Sequence, residues 1–170
     1  MKHCLSVLVE NRPGALTRIT TMFARRGFNI DSLAVGPTER HDISRITLTV
    51  DADEHSLAQI QKQMHKLVNV LRITELPPGE RLERELALFK VAAPPERRAE
   101  LTALRDVFAV RVVDVGGDAL VFEICATPEE VDAFEELVRP HGIKEVVRTG
   151  RVALGRASTV SSPRAQLVLH

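Results

Sequence analysis

The sequence predicts an α+β chain made of two ferredoxin-like βαββαβ domains. One observation is the order of hydrophobic periodicities up to Thr74: strand, helix, strand, strand, helix, strand. Another is the segment Leu76–Glu83, LPPGERLE, where two Pro, a Gly and several charges break the pattern. The third is that the same order then restarts. The expected boundaries are 1–76 for the first domain, 77–83 for a linker, 84–156 for the second domain and 157–170 for a flexible tail.

Each element has its own signal. Lys2–Glu10 is rich in Leu and Val and reads as a strand. From Pro13 to Arg26, Ala15, Leu16, Ile19, Met22 and Phe23 recur at helical spacing and make one apolar face. Pro13 suits the first helical turn, where its missing N–H costs nothing. Arg25, Arg26 and then Gly27 form a helix stop. Ile30–Val35 reads as a strand and Gly36–Asp42 as a turn. Ile43–Val50 alternates, with Ile46, Leu48 and Val50 on one face and Arg45, Thr47 and Thr49 on the other. Asp53–Lys66 reads as a helix and Val68–Thr74 as the closing strand.

The second unit repeats the order without repeating the residues. Arg84–Ala92 is a strand, Pro95–Phe108 a helix and Ala109–Val115 a strand. Gly116–Gly117 is a hairpin turn whose partner strand is Asp118–Ala126. Pro128–Arg139 is a helix with Pro at its first turn, and Ile143–Thr149 is the last strand.

Composition narrows the function. Of 170 residues 44% are hydrophobic, enough for a real core. Lys plus Arg and Asp plus Glu both number 23, which argues against a surface built for nucleic acid or anionic membrane. Trp and Tyr are absent and Phe numbers six, so base-stacking platforms are scarce. No apolar run is long enough to span a bilayer, and Glu10 and Asn11 come too early for a signal peptide; a cytoplasmic protein is expected. Cys4 and Cys125 both sit in apolar runs and read as reduced core thiols.

The motifs of common chemistries fail here. Gly14 stands alone, so neither a phosphate loop nor a dinucleotide fingerprint is present. His3, His41, His55, His65, His141 and His170 show no metal-ligand spacing and read as solvated side chains. Glu129–Glu130 and Glu135–Glu136 fall on the outer face of a helix, the first pair favouring the helix dipole. No catalytic constellation and no metal site is found.

Two stretches carry a family resemblance. ENRPGALTRI at Glu10–Ile19 followed by FARRGFNIDSL at Phe23–Leu33 resembles an ACT domain. With VGPT at Val35–Thr38, SRIT at Ser44–Thr47, QIQKQMHKLVNVLRI at Gln59–Ile73 and RELALFKV at Arg84–Val91, the chain is similar to the small, regulatory subunit of acetolactate synthase. The resemblance covers nearly all of residues 2–92 and is looser beyond, resting on Val113–Val115 and on Arg148–Arg156. It implies a chain without catalytic residues that pairs with a large catalytic subunit. That partner would carry thiamine diphosphate, Mg²⁺ and FAD; no cofactor is expected on this chain. It also implies activation of that partner and feedback inhibition by valine or another branched-chain amino acid, with ACT domains dimerising and holding the effector at their interface.

The residues suit such a ligand. A helix N-terminus offers unpaired N–H groups and partial positive charge to a carboxylate. The expected effector site is Asn11, Pro13, Gly14, Ala15 and Leu16, with Asn29 and Ile30 contributed across a dimer seam. Gly14 lets a ligand approach the main chain, Asn11 offers an uncharged amide, and Ile30 lines the apolar end. Plainer readings stand beside this one: Asn11 as a helix N-cap, Gly14 as a packing glycine, Asn29 as a left-handed turn residue and Arg25–Arg26 as a solvated helix end. Two other functions also stand: a stand-alone ACT-type amino-acid sensor controlling a different enzyme or regulator, and an enzyme in its own right. The last lacks a catalytic constellation.

Overall fold

The computed structural model describes residues 1–158. The described residues form two compact units, residues 1–82 with 151–158, and residues 83–150. The tail expected from 157 lies, past Ser158, outside the described residues.

The first unit runs β1 (Lys2–Glu10), α1 (Ala15–Arg25), β2 (Ser32–Pro37), β3 (Ile43–Asp51), α2 (Glu54–Met64) and β4 (Val70–Glu75). Its sheet is antiparallel in the order β2-β3-β1-β4, the split βαβ topology. Alternation explains its core. Leu5, Val7 and Val9 of β1 and Ile46, Leu48 and Val50 of β3 point one way and meet Ile19 and Phe23 of α1 and Ile60 and Met64 of α2. α2 starts at Asp53, whose carboxylate accepts from the Ser56 N–H at 2.7 Å.

The second unit runs β5 (Arg81–Ala92), α3 (Arg98–Ala103), β6 (Val110–Val115), β7 (Ala119–Ala126), α4 (Pro128–Val138) and β8 (Ile143–Arg148). Its strand order is β6-β7-β5-β8. Phe134 of α4 is its hub, with edge-on contacts to Phe89, Phe108 and Phe122 at centroid distances of 5.4–5.6 Å. α4 begins with a full capping box between Thr127 and Glu130. The expected fold class is therefore the observed one: two βαββαβ units.

Several local expectations change. Pro13 does not enter the helix: Gly14 is the N-cap at φ +86°, and that left-handed residue turns the chain into α1. The second strand starts at Ser32, two residues late, leaving Asn29 and Ile30 in the connection. The expected linker is mostly one turn, closed by Glu80 N–H on the Pro77 carbonyl, and β5 already starts at Arg81. The helix expected over 95–108 is a 3₁₀ turn, the short α3 and a second 3₁₀ turn. Only Leu101 of that stretch is fully buried, so little packing favours a longer helix.

A ninth strand, β9 (Val152–Gly155), was not expected. It pairs with β5, whose first residues Arg81 and Leu82 belong to the first unit. Ala153 is buried with Cys4 and Leu76, and Arg151 N–H donates to Ser32 Oγ at 2.8 Å. Residues 151–156, expected with the second domain, thus cluster with the first unit.

Polar residues also depart from expectation. Cys125 is exposed, because Phe122, Ile124 and Ala126 take the core phase of β7 and leave it on the other face. His3 is buried, with Nδ1 2.9 Å from Glu75 Oε1 and Nε2 3.2 Å from the Ala52 carbonyl. Glu135 is not a free outer-face acid: it accepts from Arg139 and Arg148.

Candidate functional site

The start of α1 is built by a long-range clasp. The Asn11 N–H donates to the Asp42 carbonyl at 2.8 Å and its Nδ2 to the His41 carbonyl at 2.9 Å. Both acceptors lie in the β2–β3 turn. That turn is braced by Arg40, which donates to Asp42 and holds its carboxyl below the usual carboxylate range. Asn11 is therefore not the helix N-cap; half of its amide fixes the loop against the turn.

Gly14 takes the cap position without a side chain, and no acidic residue stands in the first turn. The first turn of α1 thus offers its positive end no counter-charge of its own. At the expected site, Ala15 has its N–H directed at the Arg12 carbonyl at 3.2 Å. Gly14 and Leu16 are exposed, while the Ala15 methyl is buried in the core. A Cβ built at Gly14 would meet nothing within 4 Å, so the space above it is open. Pro13 is exposed beside it.

Asn29 and Ile30 lie elsewhere. They follow Gly27, just past the C-terminal end of α1. Eleven helical residues separate the two ends by about 16 Å. One chain therefore does not bring Asn29 and Gly14 together; a shared site needs a second copy. Asn29 is exposed, has a negative φ and donates to Asp31 Oδ1 at 3.2 Å, so it is not a left-handed turn residue. Ile30 packs partly against the first core.

The clasp partners His41 and Asp42 could not be read from the sequence, because backbone acceptors carry no residue signature. Among the described residues no group of three or more His, Cys, Asp or Glu is arranged to hold a metal. Among the described residues no helix is long and apolar enough to cross a membrane.

Comparison with known proteins places the chain. The family model described as "AHAS small subunit-like ACT domain" matches residues 5–72, and that described as "Small subunit of acetolactate synthase" matches residues 84–157. The chain is 46% identical over 158 residues to the probable acetolactate synthase small subunit of Archaeoglobus fulgidus, covering 93% of this chain and 99% of that one. It is 44% identical to the acetolactate synthase small subunit of Mycolicibacterium smegmatis, over 91% of each. The crystal structure of the acetolactate synthase small subunit from Thermotoga maritima superposes with a TM-score of 0.87 at 37% identity, covering 94% of this chain and 99% of that one. On these grounds the chain belongs to the acetolactate synthase small-subunit family, whose work lies in branched-chain amino acid biosynthesis.

Proposed function

We propose that this chain is a regulatory subunit that binds a large catalytic subunit of acetolactate synthase, raises its activity and makes it sensitive to valine or another branched-chain amino acid. Thiamine diphosphate, Mg²⁺ and FAD belong to the catalytic subunit in this reading, and this chain contributes no reacting group. It works in the cytoplasm as a homodimer through its ACT domains.

The observation that carries the proposal is the uncapped start of α1. Gly14 holds a left-handed cap with open space above it and no acid in the first turn. An amino-acid carboxylate fits there as the missing counter-charge, on the N–H groups beside Gly14 and Leu16. The ammonium and side chain would then meet Asn29 and Ile30 of the second copy, since those residues lie at the far end of the helix in their own chain.

Reconstitution tests this. Catalytic subunit mixed with this chain should gain acetolactate-forming activity and lose that gain as valine is added. Failure to co-purify, with no change in rate, would favour the stand-alone sensor and contradict the proposal.

A further inference from the structure

The face of the first sheet that points away from α1 and α2 carries two arginines that meet no counter-charge among the described residues. Arg45 of β3 and Arg72 of β4 both pair with Leu8 of β1, so the three form one row across three strands. The two Cα atoms are roughly 10 Å apart, two strand spacings. Both side chains are half-buried. The Nε of Arg72 is buried with no hydrogen-bond partner. Arg45 donates from Nη1 to Ser6 Oγ at 2.8 Å, a neutral acceptor. Among the described residues neither guanidinium meets a carboxylate at salt-bridge distance. By contrast Arg148, also half-buried, has three carboxylates around it.

Taking a guanidinium from water without a paired anion is unfavourable, and two on one row also repel each other. An anion between them relieves both penalties. The next row is Thr47, Ser6 and Thr74, three hydroxyls in register beside the arginines. Ser6 and Thr47 are only 3% and 4% exposed, deeper than the half-buried arginines, while Thr74 is half-buried like them. Two guanidinium forks with flanking hydroxyls suit a small oxyanion with many acceptor oxygens better than one carboxylate, which a single fork satisfies.

We propose that Arg45 and Arg72, with Ser6, form a binding site for a phosphate-type dianion on the face of the first sheet opposite α1 and α2. The site is independent of the start of α1 and of the amino-acid ligand proposed there.

Calorimetric titration of the full chain with inorganic phosphate, against chloride at equal ionic strength, tests it. Saturable phosphate binding is expected, weakened at least tenfold by Arg72→Met and by Arg45→Met. Arg25→Met, at the exposed end of α1, and Gly14→Asp should leave it unchanged. Far-UV circular dichroism checks that each variant is folded, and Arg72→Lys, keeping charge but losing the fork, should bind with intermediate affinity. No saturation beyond chloride, or equal weakening by Arg25→Met, would overturn the proposal. So would a chain deaf to phosphate whose Arg45 and Arg72 variants lose only the catalytic subunit, since the arginines would then face a protein carboxylate.

Discussion

Arg148 donates from Nε and Nη2 to the two carboxylate oxygens of Glu85, at 2.9 and 2.8 Å. Its Nη1 reaches Asp132 at 2.7 Å and Glu135 at 3.3 Å. Glu85 is 5% exposed, so this fork is the counter-charge of a buried carboxylate. The same contacts hold the Arg148 guanidinium firmly protonated, Glu85 being the main cause. One side chain thus ties β8 to β5 and α4.

Arg148→Met should therefore destabilise the second unit by about 3–5 kcal/mol, because it strands a buried charge. The double variant Glu85→Leu with Arg148→Met should recover much of that loss, since neither charge then remains. Urea unfolding followed by far-UV circular dichroism suits a chain with no Trp or Tyr. A single variant that costs no more than an exposed pair, about 1 kcal/mol or less, would contradict the assignment.

Glu130 makes a prediction about acid. Its carboxylate accepts from the Thr127 backbone N–H at 2.8 Å, and this bond, with that from the Thr127 hydroxyl, lowers its pKa. The folded value lies below the unfolded one of about 4.3. The contribution is thus fully present above pH ~4.3 and is lost as pH falls through the lower folded value. In Glu130→Gln the stability of the second unit should fall less steeply with acid below pH ~4.3; an unchanged slope would remove Glu130 from the cap. Thr127→Ala, which deletes the N-cap itself, should cost about 1 kcal/mol at neutral pH.

How much of this was legible depended on whether a signal was local. The 3.6-residue spacing of Ile19, Met22 and Phe23 and the alternation of Ile46, Leu48 and Val50 sufficed for α1, β3 and the topology. β9 was not legible: four residues carry no period, and Ala153 is buried only because Cys4 and Leu76 come from far along the chain. Cys125 was misread because an apolar neighbourhood does not reveal which phase of a strand faces the core. At the candidate site Gly14 stood out in the sequence, but its left-handed cap and the clasp of Asn11 onto His41 did not. A Pro-Gly pair also fits the first turn of a helix, and the clasp depends on a turn thirty residues away.

Gly14→Asp places a carboxylate at the open position where the ligand's carboxylate is proposed to sit. A Cβ has room there, and the positive φ adds a strain of about 1 kcal/mol. Reconstituted enzyme carrying this variant should keep its activation and lose valine inhibition. Asn29→His should act alike through bulk and the lost amide. If valine inhibits both variants as it inhibits the parent, the effector sits elsewhere.

The most direct measurement is calorimetric titration of the isolated chain with valine, leucine and isoleucine, repeated on Gly14→Asp. At least one of the three should bind the parent saturably, and that binding should be lost in the variant. Heats absent for all three amino acids, or an isotherm unchanged by the added carboxylate, would contradict an effector site at the start of α1.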